Sequence, residues 1–386
     1  MVRREPSVVV FSGGGTGGHF YPALALAREL AALRPDTRPY FIGSRRGVEA
    51  GVLPECGLDY KLVEVEGLDR RHLWNNAMVM QSLLGSVLEV FETFRRLRPE
   101  LVVVTGGYAC APSGLAAACM GIPLALQEQN SLPGVTTRLL SRHAAQIHLA
   151  WPEAKQVIAR RARDRVVVSG NPVRSPAGIG RGEARRRFGL APKGRVGLVV
   201  GGSQGSAVLN RRIAEALLDT PERPEGFQLL WASGPAHFSG MSRELARAGS
   251  PDWVRLVPYI HDMPGALAAA DLAVSRAGAM ATSEFLVHGL PAILLPLPTA
   301  AEDHQTRNAS ALADAGVALH LPEAGTDARA LWAAMVKLAG DDHRVASMAR
   351  AARERARPDA AANIAAALTE LLPRGPRSMT VSGEAA

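Results

Sequence analysis

Short apolar, β-branched runs alternate with longer amphipathic stretches along this chain, beginning with Ser7 to Phe11, Arg38 to Ile42, Leu101 to Val104 and Leu124 to Leu126. That rhythm predicts the βα units of a parallel, doubly wound sheet. It restarts midway, because Val8 to Ser12 leads into one glycine-rich loop and Val196 to Val200 leads into another. Two similar α/β halves are therefore expected. Between them lie Gly170-Asn171-Pro172-Val173-Arg174, then Pro176, Gly178, Gly180 and Gly182 and a basic run through Arg187, which marks the junction. The expected organisation is a first domain over 7–172, a second over 173–357, a closing helix over 358–373 packing back toward the first domain, and a disordered tail over 374–386. Two Rossmann-like halves facing each other would turn their strand-end loops toward one shared crevice, where ligands bind in such sheets.

Composition sets limits on this picture. A chain of 386 residues that is 47% hydrophobic can fill two cores. No apolar run approaches the roughly 20 residues that span a bilayer, and Met1 to Pro6 run straight into a strand without a signal-peptide core. A cytosolic protein is expected. Cys56, Cys110 and Cys119 form no CxxC pair and are expected as buried, reduced thiols. The formal charge of +8 favours an anionic partner: nucleic acid, a phospholipid surface or a phosphorylated substrate. With aromatics at 5% and no basic stretch interleaved with them, nucleic acid is the weakest of the three.

The chemistry concentrates at the glycine loops. Gly13-Gly14-Gly15-Thr16-Gly17-Gly18-His19 sits between a strand and a helix containing Leu24, Leu26, Leu30 and Leu33. Glycines let the backbone turn sharply and approach a ligand, and the amides of a helix start attract an anion. Thr105-Gly106-Gly107-Tyr108 closes another strand at the same sheet edge, and two such loops together suit a diphosphate. The first loop also satisfies G-x-G-x-x-G, a weak dinucleotide signal. Where a nicotinamide enzyme carries an acid after its second strand, Ile42 is followed by Gly43-Ser44-Arg45-Arg46. Those arginines keep an NADP oxidoreductase open. In the second half, Gly201-Gly202-Ser203-Gln204-Gly205-Ser206 repeats the strand, loop, helix arrangement with added hydroxyls and is the better site for a nucleotide diphosphate. Ser275 to Met280 leads into a helix carrying Glu284, whose carboxylate is suited to two ribose hydroxyls, or to the helix dipole alone.

Taken together, these residues resemble the MurG family of N-acetylglucosaminyltransferases. The resemblance runs from about Val8 to Leu372 through Gly13 to His19 with Pro22, Thr105 to Tyr108, Glu128-Gln129-Asn130, Gly170 to Arg174, Gly201 to Gly205, Tyr259 to Glu284, and Asp303-His304-Gln305 with Asn308. It implies a GT-B fold and inverting transfer of N-acetylglucosamine from UDP-N-acetylglucosamine to a polyprenyl-linked muramoyl-peptide acceptor, lipid I, giving lipid II. By the same resemblance Ile260 would contact uracil, Glu284 the ribose, Ser203 with Gln204, Gly205 and Arg174 the diphosphate, and Gln305 with Asn308 the sugar. Ala279, Met280, Thr16, Gly17, Gly18 and Asn130 complete the expected donor set, with Asn130 and His19 toward the acceptor side. Gly14, Gly15, Gly106 and Gly107 are expected at the acceptor diphosphate. Two positions depart from the family pattern: Gln127 stands where many members have His, and Ala281 where many have Thr.

Inverting transfer needs one base and one anion clamp. His19 is the leading candidate for the base, with Glu128 second. No D-x-D motif occurs, so neither a bound metal nor another cofactor is expected. The apolar region Leu68, Leu73, Trp74, Met78, Met80, Leu83, Leu84, Val87 and Leu88, flanked by Arg70, Arg71, Arg95, Arg96 and Arg98, suits peripheral binding to the anionic cytoplasmic face of a membrane, or an ordinary core helix. The resemblance also implies contacts with wall-synthesis proteins. Other readings are a GT-B transferase with another lipid or natural-product acceptor, and, because Gln127 takes no proton at neutral pH, a weakened UDP-sugar-binding homologue.

Overall fold

The computed structural model describes residues 6–66, 76–174, 178–219, 223 and 225–373; the expected tail over 374–386 lies outside them, as do Leu68, Arg70, Arg71, Leu73, Trp74 and the side chain of Met78. Seven strands come first: β1 (Ser7–Ser12), β2 (Thr37–Ser44), β3 (Asp59–Val63), β4 (Leu101–Val104), β5 (Leu124–Glu128), β6 (Gln146–Leu149) and β7 (Val166–Val168). Six follow: β8 (Val196–Val200), β9 (Gln228–Ala232), β10 (Val254–Val257), β11 (Leu272–Ser275), β12 (Ala292–Leu294) and β13 (Ala318–His320). They form two sheets of order 3-2-1-4-5-6-7 and 10-9-8-11-12-13. Every pairing is parallel, with Val9 opposite Leu101 in the first sheet and Leu198 opposite Ala273 in the second. This is the α/β, GT-B architecture of two Rossmann-like domains.

Burial on both faces explains why the strands read as continuous apolar runs rather than alternating ones. In the first sheet, Val9, Phe11, Leu101 and Val103 pack against Phe20, Leu26 and Leu30 of the helix Gly17–Leu33, whereas Val10, Val102 and Val104 pack with Val90 and Phe94 of the helix Asn76–Leu97. The second sheet is divided the same way, Leu198 and Leu230 facing one cluster and Val199, Leu229 and Trp231 the other. The helix Ala360–Thr369 returns to the first sheet, where Ile364, Ala365 and Leu368 join Phe20 and Leu30, and Gln146 Nε2 donates to the Ala367 carbonyl at 2.9 Å.

Among the cysteines only Cys110 is buried, its thiol pushed up to about 12 by burial; Cys56 is half-buried and Cys119 exposed, so the expectation of three buried thiols holds for one. None of the three is in a disulfide. The helix Asn76–Leu97 has two apolar faces. Val90 and Phe94 point into the core, and Met80, Leu84 and Leu88, spaced by four, are 57%, 61% and 63% exposed. Among the described residues no helix is long and apolar enough to cross a membrane.

Candidate active site

In each sheet the strand order reverses beside the first strand of its half, between β1 and β4 and between β8 and β11. Parallel strands leave a crevice at their carboxyl ends there. The four glycine-containing loops noted above follow β1, β4, β8 and β11, so the two crevices hold all four.

On the first side, His19 lies in the opening turn of the helix Gly17–Leu33, half-buried. Its Nδ1 stands 2.7 Å from Gln129 Oε1 and 3.1 Å from the Thr105 carbonyl. Both neighbours are acceptors, so in the neutral ring Nδ1 carries the proton and Nε2 keeps its lone pair. The neighbouring glycines serve this ring. A side chain on Gly106, at φ 89°, would meet His19 Nδ1, and one on Gly107, at φ 79°, would meet the Gly14 carbonyl and the same ring.

At the four glycines expected to hold the acceptor diphosphate, Gly14, Gly15, Gly106 and Gly107, the loops pack closely on protein. Gly14 and Gly106 are buried, and the Gly15 amide already donates to both carboxylate oxygens of Glu49, at 3.1 and 3.0 Å. Glu49 is itself fully buried and also accepts from the Ser44 amide at 2.8 Å. Thr16 and Gly18 are exposed and Gly17 half-buried, so these three present the helix start outward instead. Arg46, one of the two arginines that kept an NADP site open, is paired with Glu64, at 3.3 Å, and with Glu66.

Glu128 ends β5, buried, with every approach to its carboxylate occupied. Oε1 accepts from the Asn130 amide at 3.1 Å and from Asn130 Nδ2 at 3.2 Å, while Oε2 accepts from the Gly134 amide at 3.1 Å and from Thr137 Oγ1 at 2.7 Å. A carboxylate so engaged shapes the loop after β5. Gln127 is 1% exposed and hydrogen-bonded to Gln129 and, at 3.0 Å, to Asn171 Oδ1, so it does not face the cleft at all.

On the second side lies a cavity of about 420 Å³ lined by Gly201, Gly205, Ser206, Arg276, Ala281 and Gln305, among others. Ser203 and Gln204 are exposed on the same loop. Gln305 is held by its carboxamide oxygen, which accepts from the Leu297 amide at 3.0 Å. Two helices begin at the cavity, Ala207–Asp219 and Ala279–His288; Ala207 and Gly278 line it, and Met280 follows in the latter's first turn. Helix starts of this length carry partial positive charge. Arg276, which sequence reasoning passed over, is 8% exposed at the cavity wall and joins Ser206 Oγ, at 3.1 Å, to the Leu295 carbonyl, at 3.1 Å, with Glu323 at 2.5 Å as its counter-charge. A lone arginine in a strand-end loop gives no local signal of such burial.

Glu284 is half-buried, and burial raises its carboxyl to about 7, with the Arg174 guanidinium pulling the other way. Arg174 is exposed. The Ile260 side chain is in the core, so a ligand at this loop would meet its backbone, beside Tyr259 stacked edge-on against His261 at 4.9 Å.

Asn308, expected at the sugar, lies where the two halves meet. It is completely buried, accepting from the amide and hydroxyl of Ser131, both at 2.9 Å, and donating to Asn130 Oδ1 and to the Ala277 carbonyl, both at 3.2 Å. It ties the two halves together. One helical turn earlier, His304 is half-buried and depressed by burial, with the charges of His19 and Glu128 acting on it; its Nδ1 is 2.5 Å from the Ala301 carbonyl. The cleft therefore holds two imidazoles, one from each half.

The chain matches two family models, the glycosyltransferase family 28 N-terminal domain over residues 9–149 and the family 28 C-terminal domain over residues 196–364. A Salinibacter ruber protein named UDP-N-acetylglucosamine--N-acetylmuramyl-(pentapeptide) pyrophosphoryl-undecaprenol N-acetylglucosamine transferase is 42% identical over 95% of this chain and 96% of its own. A Moorella thermoacetica protein of the same name is 39% identical over 91% and 95%. Among solved structures, Acinetobacter baumannii MurG superposes with a TM-score of 0.76 at 28% identity, covering 95% of this chain and 100% of that one.

Proposed function

The chain belongs to the MurG family of family 28 glycosyltransferases, and from that membership we infer that it transfers N-acetylglucosamine from UDP-N-acetylglucosamine to the 4-hydroxyl of the muramoyl residue of lipid I, with inversion, to give lipid II. The observation that carries the site assignment is His19, held in the tautomer that leaves Nε2 unprotonated, on the opposite lip from a cavity ringed by two helix starts.

In this reading the donor lies in the second half. The Gly201 to Ser206 loop, with Ser203, Gln204 and Gly205, and the helix start at Ala279 and Met280 hold the diphosphate; Arg174 completes the clamp; Glu284 takes the ribose; the backbone at Ile260 meets uracil; and Gln305 reads the sugar. Thr16, Gly17 and Gly18 close over the donor from the first half. The acceptor hydroxyl attacks the anomeric carbon from the face opposite UDP. His19 Nε2 takes its proton as the bond forms, and the charge that grows on the leaving diphosphate meets amides and a guanidinium already in place.

The acceptor's polyprenyl chain is anchored in lipid, so the first half has to reach the cytoplasmic membrane surface. Met80, Leu84 and Leu88 form an outward apolar stripe, and Arg95 and Arg96 lie exposed toward the end of the same helix. That combination fits peripheral attachment to anionic lipid, from which contacts with wall-synthesis proteins would also be made. The deciding experiment incubates the purified protein with labelled UDP-N-acetylglucosamine and a short-chain lipid I analogue. Disaccharide product, lost in His19→Ala while UDP binding persists, supports the assignment; UDP binding without sugar transfer defeats it.

A further inference from the structure

Four buried side chains connect His19 to the second half of the molecule. His19 Nδ1 donates to Gln129 Oε1 at 2.7 Å, Gln129 Nε2 donates to Gln127 Oε1, Gln127 Nε2 donates to Asn171 Oδ1 at 3.0 Å, and Asn171 Nδ2 donates to Ser283 Oγ at 2.9 Å. Gln127, Gln129, Asn171 and Ser283 are 1%, 1%, 2% and 6% exposed. Ser283 belongs to the helix Ala279–His288, immediately before Glu284.

The direction of this chain is not arbitrary, because backbone carbonyls anchor it at two points. Gln129 Nε2 also donates to the Thr105 carbonyl at 2.8 Å and to the Gln127 carbonyl at 3.2 Å, so the nitrogen cannot exchange places with the oxygen that faces His19. Asn171 Nδ2 likewise donates to the Gln129 carbonyl at 3.1 Å, which turns its oxygen toward Gln127. Between two amides of fixed orientation, residue 127 must accept on one side and donate on the other. A carboxamide does both at every pH.

We propose that Gln127 is a positioning residue that, through Gln129, locks His19 as the Nδ1–H tautomer and registers that lock to the seating of the donor-side helix through Asn171 and Ser283. The proposal rests on the reading of His19 as the base. It also gives the departure from the family pattern a consequence. A neutral histidine at 127 can accept from Gln129 and donate to Asn171, but an imidazolium has only donors and would face the Gln129 N–H groups with another. With glutamine, the lock on His19 does not titrate.

The test compares the full chain with Gln127→Met, which keeps the shape and removes both hydrogen bonds, and Gln127→His. The readouts are the ring ¹⁵N shifts of His19, thermal unfolding, and kcat and KM for UDP-N-acetylglucosamine across pH. Gln127→Met is expected to mix the His19 tautomers and to lower kcat about ten- to a hundred-fold, the usual cost of a loosened catalytic geometry, with KM for the donor little changed. Gln127→His is expected to recover both the tautomer and kcat while the ring at 127 is neutral and to lose both as falling pH protonates it, at a pH that burial of position 127 pushes below the range of a free imidazole. A wild-type His19 spectrum in Gln127→Met, or a His19 tautomer in Gln127→His that survives protonation of the ring at 127 in the same ¹⁵N spectra, overturns the proposal. The spectra decide it independently of turnover, so absence of transfer by the parent would count against the transferase reading and leave this one to be judged on the tautomer.

Discussion

The carboxamide oxygen of Asn308, in the second half, accepts two hydrogen bonds from Ser131, in the first, through its amide and its hydroxyl, each at 2.9 Å. Asn308 also donates to Asn130, so one buried side chain satisfies three groups on the facing loop. The halves thus meet through a buried polar contact. Asn308→Ala would leave the Ser131 donors buried without a partner, at a cost of about 1–3 kcal/mol. We predict a lower unfolding midpoint and, because the lips of the cleft lose their registration, a lower kcat. Thermal denaturation checks the first; a midpoint within about 1 °C of the parent, less than such a cost would shift a chain of this size, would show that the latch contributes nothing.

Nucleotide binding should depend on pH through Glu284. Its carboxyl, raised to about 7, is largely protonated in the free protein at pH 6, whereas two ribose hydroxyls donate only to a carboxylate pair of acceptors. Binding therefore selects the ionised form. Affinity for UDP should rise with pH and level off above 8, falling about ten-fold between pH 8 and pH 6. Glu284→Gln should bind more weakly at pH 8 and show no such slope. Isothermal titration at several pH values decides the matter, and a flat profile in the parent would remove Glu284 from the ribose.

Much of the frame was legible because parallel strands covered on both faces leave continuous apolar runs such as Val8 to Phe11 and Val196 to Val200, and because glycine loops mark strand ends. What escaped were side chains whose partners are far along the chain. Glu49 fills the Gly13 to Gly18 loop from 34 residues beyond Gly15, and Asn308 meets Ser131 across 177 positions. No local period reports such pairings. Motif membership likewise places a residue near the cleft without saying whether its hydrogen bonds face ligand or protein. Asn308, Glu128 and Gln127 all bond to protein.

Two buried groups should oppose each other in acid. His148, between Ser169 Oγ at 2.9 Å and Gln146 Oε1 at 3.2 Å, is pushed by burial down to about 4. Between pH 6.5 and 4 the unfolded chain binds a proton there that the folded chain refuses, so stability falls as pH falls, by about 3 kcal/mol over the window. Glu284 has the opposite sign: from pH 4.5 to 7 the folded chain keeps a proton that the unfolded chain has lost, so stability falls as pH rises. The two slopes oppose each other in the parent, with the depressed His288 and His304 adding to the rise with pH. We predict that from pH 5 to 7 stability climbs more steeply in Glu284→Gln than in the parent, and less steeply in His148→Leu. Denaturant titrations at pH 5, 6 and 7 measure both; parallel curves for the two variants would refute the assignment.

Membrane attachment should reside in the outward stripe of Met80, Leu84 and Leu88 rather than in net charge alone. Each leucine buries enough apolar surface on insertion to contribute about 1.5–3 kcal/mol, and each nearby arginine about 1 kcal/mol on an anionic surface. Leu84→Asp together with Leu88→Asp removes the apolar contribution and adds two charges that repel anionic lipid, without touching the inward Val90 and Phe94. Sedimentation with vesicles containing anionic phospholipid should then fall at least ten-fold, whereas transfer to a water-soluble, short-chain acceptor should stay near the parental rate. Arg95→Glu with Arg96→Glu should weaken binding less, and added salt should erase most of that difference because Coulomb attraction at a surface is screened within about 10 Å at 0.1 M ionic strength. Undiminished sedimentation of the leucine double variant would move the lipid contact to another face of the first half.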